Sequence, residues 1–409
     1  MFYDTPMTAT LESRRSLVLE HVPRATEIRR DLHKHPELGY AETRTSGIVA
    51  DELAKLGIQV KTGLARGTGV LGYLPATTAN PASAKTVGLR ADMDALPILE
   101  ETNLPYTSTT SGIMHACGHD GHTATLLGAA AVLANTEHRP HNVLFVFQPA
   151  EEGGAGGKAM CEDGALDGSA IGTPVDIMHG LHGWPEIETG VVAVRNGAML
   201  ASTDEFRLTI HGKGGHAAYP HLCVDPIVIS AKIIDALQAV ASRLVAPTES
   251  VVVTVSFIHA GKAVNVIPDS VQMGGTLRSL TDDVRQRASE RIRGIVTGVA
   301  LAMGGSAEID WHVGYPVTFN DERATDRVRT VVRESFGESM LVERSTPTMG
   351  GEDFSYYSQL VPASFSFVGL RPPERTSAPG LHTPTFDFND DALPKTIELM
   401  TALAVAEIE

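Results

Sequence analysis

The sequence predicts an α/β protein in two parts: a domain with a central, largely parallel sheet flanked by helices, and an inserted α+β domain built as β-α-β-β-α-β. Three observations point there. Early in the chain, short apolar runs that end in carboxylates alternate with helical stretches. Near residue 200 the rhythm changes to a second, self-contained series of strands and helices. The 409 residues, 43% hydrophobic and 20% charged, have ordinary globular composition and are numerous enough for two domains.

In chain order, residues 14 to 62 read as helical, with "TSGIVADELAKLG" closing at Gly57, a residue suited to the left-handed position after a helix. A strand is expected next. The stretch Pro75 to Lys85, rich in Thr, Ala, Pro and Ser, reads as a surface loop. "TVGLRADMDALP" and "HNVLFVFQPAEEG" read as strands, separated by an Ala/Leu-rich helix that begins near His122. In sheets of this β-α-β kind, ligands bind at the carboxyl ends of the strands, where Asp92, Asp94, Glu151 and Glu152 fall.

Beyond residue 200, "STDEFRLTIHG" reads as a strand and "DPIVISAKIIDALQAVASRLV" as a helix with Asp225 at its N-cap and Pro226 in its first turn. "SVVVTVSFIHAG" and "DSVQMGGTLRSL" follow as paired strands, then a helix from "TDDVRQRASERIRG" and a last strand, "SAEIDWHVGYP". Such a unit folds as a four-stranded antiparallel sheet with two helices on one face. The expected boundaries are 1–199 for the first part of the larger domain, 200–317 for the insertion and 318–409 for the remainder.

A formal charge of -16, with no sustained basic stripe, argues against a nucleic-acid partner and favours a small molecule. No apolar run is long enough to span a membrane, and the N-terminal stretch lacks the uninterrupted apolar core of a secretion signal. Cys117, Cys161 and Cys223 are odd in number and scattered, which fits a reduced, cytoplasmic setting better than a disulfide framework.

One cysteine stands in an unusual place. In "MHACGHDGHTATLLGAA", Cys117 and His119 flank a glycine and converge on one ion if the backbone turns sharply there. The plainer reading is a small buried thiol. In "FQPAEEGGAG", Glu151 and Glu152 are costly to bury together unless a cation relieves them, and then one can ligate while the other accepts a proton from water. Alternatively they begin a solvated loop. His179 and His182 in "VDIMHGLHGWP", and His382 in "GLHTPTF", are each weak signals. Together with Cys117, His119 and Glu152 they are donors enough for one or two divalent ions.

The stretches "RRDLHKHPELGYAE", "GLRADMDALP", "MHACGHDGHTATLLGAA", "FQPAEEGGAG", "GLHGWP", "GKGGHAAYPH", "NVIPDSVQMGGTLR" and "MGGEDFSYY", in this order, resemble the metal-dependent aminoacylase and carboxypeptidase family. The nearest branch holds hippurate hydrolases, N-acyl-amino-acid amidohydrolases and auxin-conjugate hydrolases. The resemblance implies a metallo-amidohydrolase that cleaves N-acyl amino acids, with a carboxypeptidase or dipeptidase as the neighbouring alternative and a silent metal-binding module as a rival of another class. It implies Cys117, His119, Glu152, His182 and His382 as ligands of zinc, or of manganese, cobalt or nickel, with one or two ions per subunit. Glu151 would be the general base and Asp94 the acid that orients a ligand. It further implies that the insertion is a lid and dimerisation domain in a homodimer or tetramer. His216 would reach across the dimer to the oxyanion, Asn265 would bind the scissile carbonyl, and Arg278 the free carboxylate. Read without the family, His216 satisfies a turn, Asn265 caps one and Arg278 is a surface charge. Asp92 stands where more distant relatives place a histidine ligand. No chemistry is assigned to His33, His35, Glu37, Glu352 or Asp353, and neither Gly214-Gly215 in "GGHAAYPH" nor Gly350-Gly351 in "MGGEDF" has the spacing of a phosphate-binding loop.

Overall fold

A computed structural model describes residues 7–408 of the chain. It divides into two compact units, one formed by Met1–Gly197, Phe319–Thr346 and Asp353–Glu409, the other by Ala198–Thr318 and Pro347–Glu352.

The first unit opens with helix α1 (Met7–Lys34) and helix α2 (Thr43–Lys55), followed by strands β1 (Gln59–Leu64), β2 (Gly69–Leu74) and β3 (Thr86–Asp92). Helix α3 (His119–Ala134), β4 (Asn142–Gln148), β5 (Ile177–Glu188) and β6 (Val192–Val194) come next. These six strands join Leu341–Glu343 and Ala363–Arg371 in one eight-stranded sheet. Its order is β1, β2, β4, β3, β5, Ala363–Arg371, β6, Leu341–Glu343. The central pairings, β4 with β3, β3 with β5 and β5 with Ala363–Arg371, are parallel, while β1, β2 and β4 meet antiparallel.

β3 and β4 are buried at every residue, as expected of strands covered on both faces. The cover is helical: Leu32 of α1, Val49 and Leu53 of α2, Leu126 and Leu133 of α3 and Leu403 of the helix Leu393–Val405 share one core with Val87, Leu89, Phe145 and Phe147. Each such side chain contributes about 1.5–3 kcal/mol on burial. Asp92 is paired with Gln148, so β3 and β4 end level. Their ends therefore deliver Asp92, Asp94 and the turn carrying Glu151 and Glu152 to one edge of the sheet.

Two expectations about this unit are corrected. The helical run read from 14 to 62 is broken at residues 35–42 and ends at Lys55. Pro36 lacks the N–H an interior turn needs, and Tyr40 takes a left-handed φ of 62°. Gly57, at φ 71°, does occupy the left-handed position after the helix, and the chain turns there into β1. The helix expected near His122 begins earlier, at His119, because Gly118 at φ 89° makes the turn just before it.

The second unit is the β-α-β-β-α-β series. Val251–Ala260, Ser270–Ser279, Ser202–His211 and Ser306–Val313 lie in that order in an antiparallel sheet. Along Ser202–His211 buried residues alternate with more exposed ones. Phe206, Leu208 and Ile210 form a core with Ile233 and Leu237 of the helix Pro226–Ala239 and with Ile292 and Val296 of the helix Asp282–Ala302. Asp225 caps the first helix by accepting the Ile227 N–H at 2.9 Å, and Thr281 caps the second. A two-residue ribbon pairs His216 with Val266. Among the described residues no helix is long and apolar enough to cross a membrane.

Candidate metal centre and active site

Four segments of the first unit meet at the carboxyl edge of its sheet. Gly118 adopts the left-handed backbone that lets Cys117 and His119 face the same point, and a Cβ at Gly118 would also lie 3.2 Å from the Phe388 ring. The His382 backbone N–H donates to Ala116 O at 2.8 Å, which ties a distant loop to the residue before Cys117. Cys117 Sγ then lies 3.4 Å from His182 Nε2 and 3.3 Å from His382 Nε2, and His382 Nε2 lies 3.0 Å from Glu152 Oε1. Ligand atoms of Cys117, His119 and His182, of Cys117, Glu152 and His382, and of His119, Glu151 and Glu152 lie in each set within 4.8 Å of one another. Cys117, His119 and His182 are buried while the His382 side chain is 52% exposed, so the cluster opens to solvent on one side.

The second nitrogens are engaged in ways that aim the first. His182 Nδ1 donates to Gly183 O and His119 Nδ1 to Asp94 O, both at 2.8 Å. This leaves His119 Nε2 buried with no hydrogen-bond partner, 3.6 Å from Asp92 Oδ2. The Asp94 carboxylate lies 3.2 Å from His119 Nδ1, and its two oxygens accept the N–H groups of Glu151 and Glu152 at 3.0 and 2.9 Å.

Electrostatics show what the cluster would accommodate. Burial, followed by Glu152, Glu151 and Asp92, pushes the Cys117 thiol well above its usual range. Burial disfavours a charged His119, yet Asp92, Asp94 and Glu152 outweigh it and raise the imidazole to about 10. A thiolate and these carboxylates can be ionised together only with positive charge among them, and sulfur, imidazole and carboxylate donors suit a divalent cation. The residues present fit such an ion.

Asp92 is held differently. Arg90 Nη1 donates to its Oδ2 at 2.6 Å and His122 Nδ1 to its Oδ1 at 2.7 Å. Burial alone would raise this carboxyl, but Arg90, His119 and His122 outweigh it and hold it well below the usual range. The Gly183 N–H donates to His122 Nε2 at 2.8 Å, so the proton of a neutral His122 sits on Nδ1. With both nitrogens occupied, His122 joins Asp92 to the backbone beside His182 and is not free to ligate. Sequence reasoning used His122 only to mark a helix start. Its place three residues after His119, on the same face of α3, was the available signal.

His179, left open beside His182, accepts from Arg327 Nη1 at 2.8 Å through Nε2, and Arg327 also holds Ala406 O. Its role is structural. Asp353 takes Arg90, Gln148 and the Gly157 N–H and so fastens the ends of β3 and β4. Glu37 caps α2 through the Arg44 and Thr45 amides, while His35 bonds Asp31 O at 2.9 Å on the surface. His33 bridges Asp120 at 2.9 Å and Glu100 at 3.2 Å next to His119.

Burial opposes a charged His33, but those two carboxylates outweigh it and raise the imidazole to about 9. A raised folded-state value means stability present below the unfolded value near 6.5 and lost as pH climbs through 9, on the order of 3 kcal/mol. Denaturant unfolding at pH 6.5 and 9.5 should show that loss in the parent and much less in His33→Gln. Equal pH slopes in the two proteins would refute it.

In the second unit, His216 and Asn265 stand on the same ribbon: the Ala217 N–H donates to Asn265 O at 3.0 Å, and His216 Nδ1 accepts the Ala218 N–H at 3.1 Å. Both side chains belong to exposed residues. Arg278 lies at the far end of the strand that starts at Ser270, roughly 25 Å along it at the usual rise. Burial lowers its guanidinium somewhat. The unit thus keeps Arg278 apart from the His216 and Asn265 pair.

The chain as a whole is similar to known proteins. A sequence model of peptidase family M20/M25/M40 matches residues 88–406. The N-acetyl-L-cysteine deacetylase of Bacillus subtilis is 40% identical over 90% of this chain and 84% of its own. Thermostable carboxypeptidase 1 of Saccharolobus solfataricus is 39% identical over 90% of this chain and 91% of its own. The crystal structure of the Bacillus subtilis YxeP protein, described as a dinuclear metal-binding peptidase, matches with a TM-score of 0.79 and 32% identity over 94% of this chain and 98% of that one.

Proposed function

The chain belongs to peptidase family M20/M25/M40 and is a metal-dependent hydrolase of amide or peptide bonds, and from that premise we propose that it cleaves N-acyl amino acids, hippurate-like compounds among them, into a carboxylic acid and a free amino acid. The observation that carries this reading is the turn on which Glu151 and Glu152 are neighbours, both amides fixed by one Asp94 carboxylate. Such a turn can commit one glutamate to a cation and leave its neighbour for proton transfer.

Cys117, His119, Glu152, His182 and His382 would hold the ion. Their soft donors favour zinc, with manganese, cobalt or nickel as substitutes and one or two ions per subunit. When bound, the cation supplies Lewis acidity that polarises the scissile carbonyl and lowers the pKa of water. Glu151 takes a proton from the attacking water and returns it to the departing amine. His216 donates to the oxyanion from Nε2, since Nδ1 already accepts from a backbone amide. Asn265 binds the carbonyl, and Arg278 pairs with the free carboxylate of the amino acid. The separation of His216 from Arg278 within one unit supports a homodimer in which the second unit, as lid and dimerisation domain, lends His216 to its partner's site. We place the enzyme in the cytoplasm, where its three free cysteines would stay reduced.

A carboxypeptidase or dipeptidase is the second reading, favoured by the 39% identity to the thermostable carboxypeptidase. Chelator-stripped protein should be resupplied with zinc, manganese, cobalt or nickel. It would then be offered N-benzoylglycine, other N-acyl amino acids, and dipeptides with the same C-terminal residue. Metal-restored release of amino acid from the acyl compounds, faster than from the dipeptides, is expected. The reverse preference establishes the peptidase, and stoichiometric metal without turnover establishes a silent binding module. Sedimentation of a fully active monomer would sink the dimer.

A further inference from the structure

The segment "HPELGYAE" ends in a residue that bears on the active site. Glu42 is fully buried at the start of α2. Its Oε2 accepts the Thr68 hydroxyl at 2.9 Å, and its Oε1 accepts the Ala150 N–H at 2.8 Å. Ala150 immediately precedes Glu151, so three consecutive amides, those of Ala150, Glu151 and Glu152, end on carboxylate oxygens, the first on Glu42 and the next two on Asp94. Such a run of converging N–H groups accommodates negative charge well.

The turn needs holding. Ala150 has φ 52°, a left-handed conformation that disfavours a side-chain-bearing residue by about 1–2 kcal/mol. The rest of the segment also closes on it. A Cβ at Gly39 would come within 3.1 Å of the Ala150 Cβ, and the Tyr40 hydroxyl donates to Gly154 O at 2.7 Å. An apolar side chain at position 42 would leave a buried N–H unpaired beside a strained residue.

We propose that Glu42 is a positioning residue for hydrolysis: by accepting the Ala150 amide it fixes the turn that aims Glu151 and Glu152, while touching neither substrate nor metal. The proposal rests on Glu151 acting as the base. Burial, reinforced by the neighbouring Asp94 charge, raises the Glu42 carboxyl to about 7, consistent with a group held there for its hydrogen bonds and not for an ion pair.

The test compares Glu42→Leu and Glu42→Gln in the full chain by amide hydrogen exchange over residues 149–154, bound metal, kcat and KM. In Glu42→Leu, exchange in that segment should quicken by about tenfold, with α3 unchanged. kcat should fall by about 10- to 100-fold at nearly constant KM. Glu42→Gln keeps an acceptor oxygen and should restore most of both. If the leucine variant does not fold, Glu42→Asp, too short to reach Ala150, carries the same expectations. Unchanged exchange, unchanged kcat, or a glutamine variant as impaired as leucine each overturns the proposal. An active Glu151→Gln would refute the base instead and leave the exchange result standing, so the two failures are distinguishable.

Discussion

Replacing Glu151 by glutamine is expected to lower kcat by about 10³-fold, within the range that loss of a general base usually costs, while metal content and KM stay close to the parent's. The geometry is what separates these readouts. Glutamine is isosteric and keeps the backbone N–H that Asp94 accepts at 3.0 Å, so the turn and the neighbouring Glu152 are undisturbed. Only the ability to take a proton is removed. Elemental analysis alongside steady-state kinetics would check it, and a rate within about tenfold of the parent's would strip Glu151 of its role, since general-base losses begin near 10²-fold.

Replacing Cys117 by alanine should act in the opposite order, on the metal first. Its sulfur is the atom that His182 and His382 share, at 3.4 and 3.3 Å, and its thiol is held unionised by burial and the surrounding carboxylates unless a cation is present. Losing it should cost at least about 100-fold in metal affinity, the upper end of what even outer groups around a metal cost when removed. Turnover should collapse with occupancy and recover in part at high metal concentration. Competition against a chromophoric chelator measures the affinity directly. Parent-like affinity in Cys117→Ala would place the ion elsewhere.

Much of this was legible in the sequence, for reasons that particular residues make plain. The second unit's series could be read because its helices carry their own punctuation, Asp225 with Pro226 and Thr281, and its strands alternate. β3 and β4 announced themselves as continuous apolar runs ending in acids. The break after α1 is marked in the sequence by Pro36 and Gly39, whereas the positive φ of Tyr40, whose hydroxyl donates to the distant Gly154 O, serves a tertiary purpose that no local pattern shows. The choice between His179 and His182 was open to elementary geometry. Three residues apart on one strand they face opposite sides, and β5 turns one toward Arg327 and the other toward Cys117. The spacing from His119 marks His122 out, but what His122 and Glu42 do could not be read, for a different reason. Each acts on a backbone amide, Gly183 and Ala150, that lies 61 or 108 positions away, and no side-chain pattern records an amide.

The order of strands in the large sheet also governs how the protein is made. Ala363–Arg371 sits between β5 and β6, yet it leaves the ribosome only after the whole of Ala198–Thr318 has been synthesised. The second unit, whose sheet closes on contiguous chain, can therefore fold first, while the first unit waits with the flank of β5 unpaired. The cysteine, two histidines and glutamate that precede the insertion emerge early, and the last histidine arrives with the segment that completes the sheet. Nascent chains thus carry four of the five proposed ligands beside an open strand edge. Until that segment arrives, the flank of β5 exposes the unpaired N–H and C=O groups of a sheet edge, open to pairing with another chain.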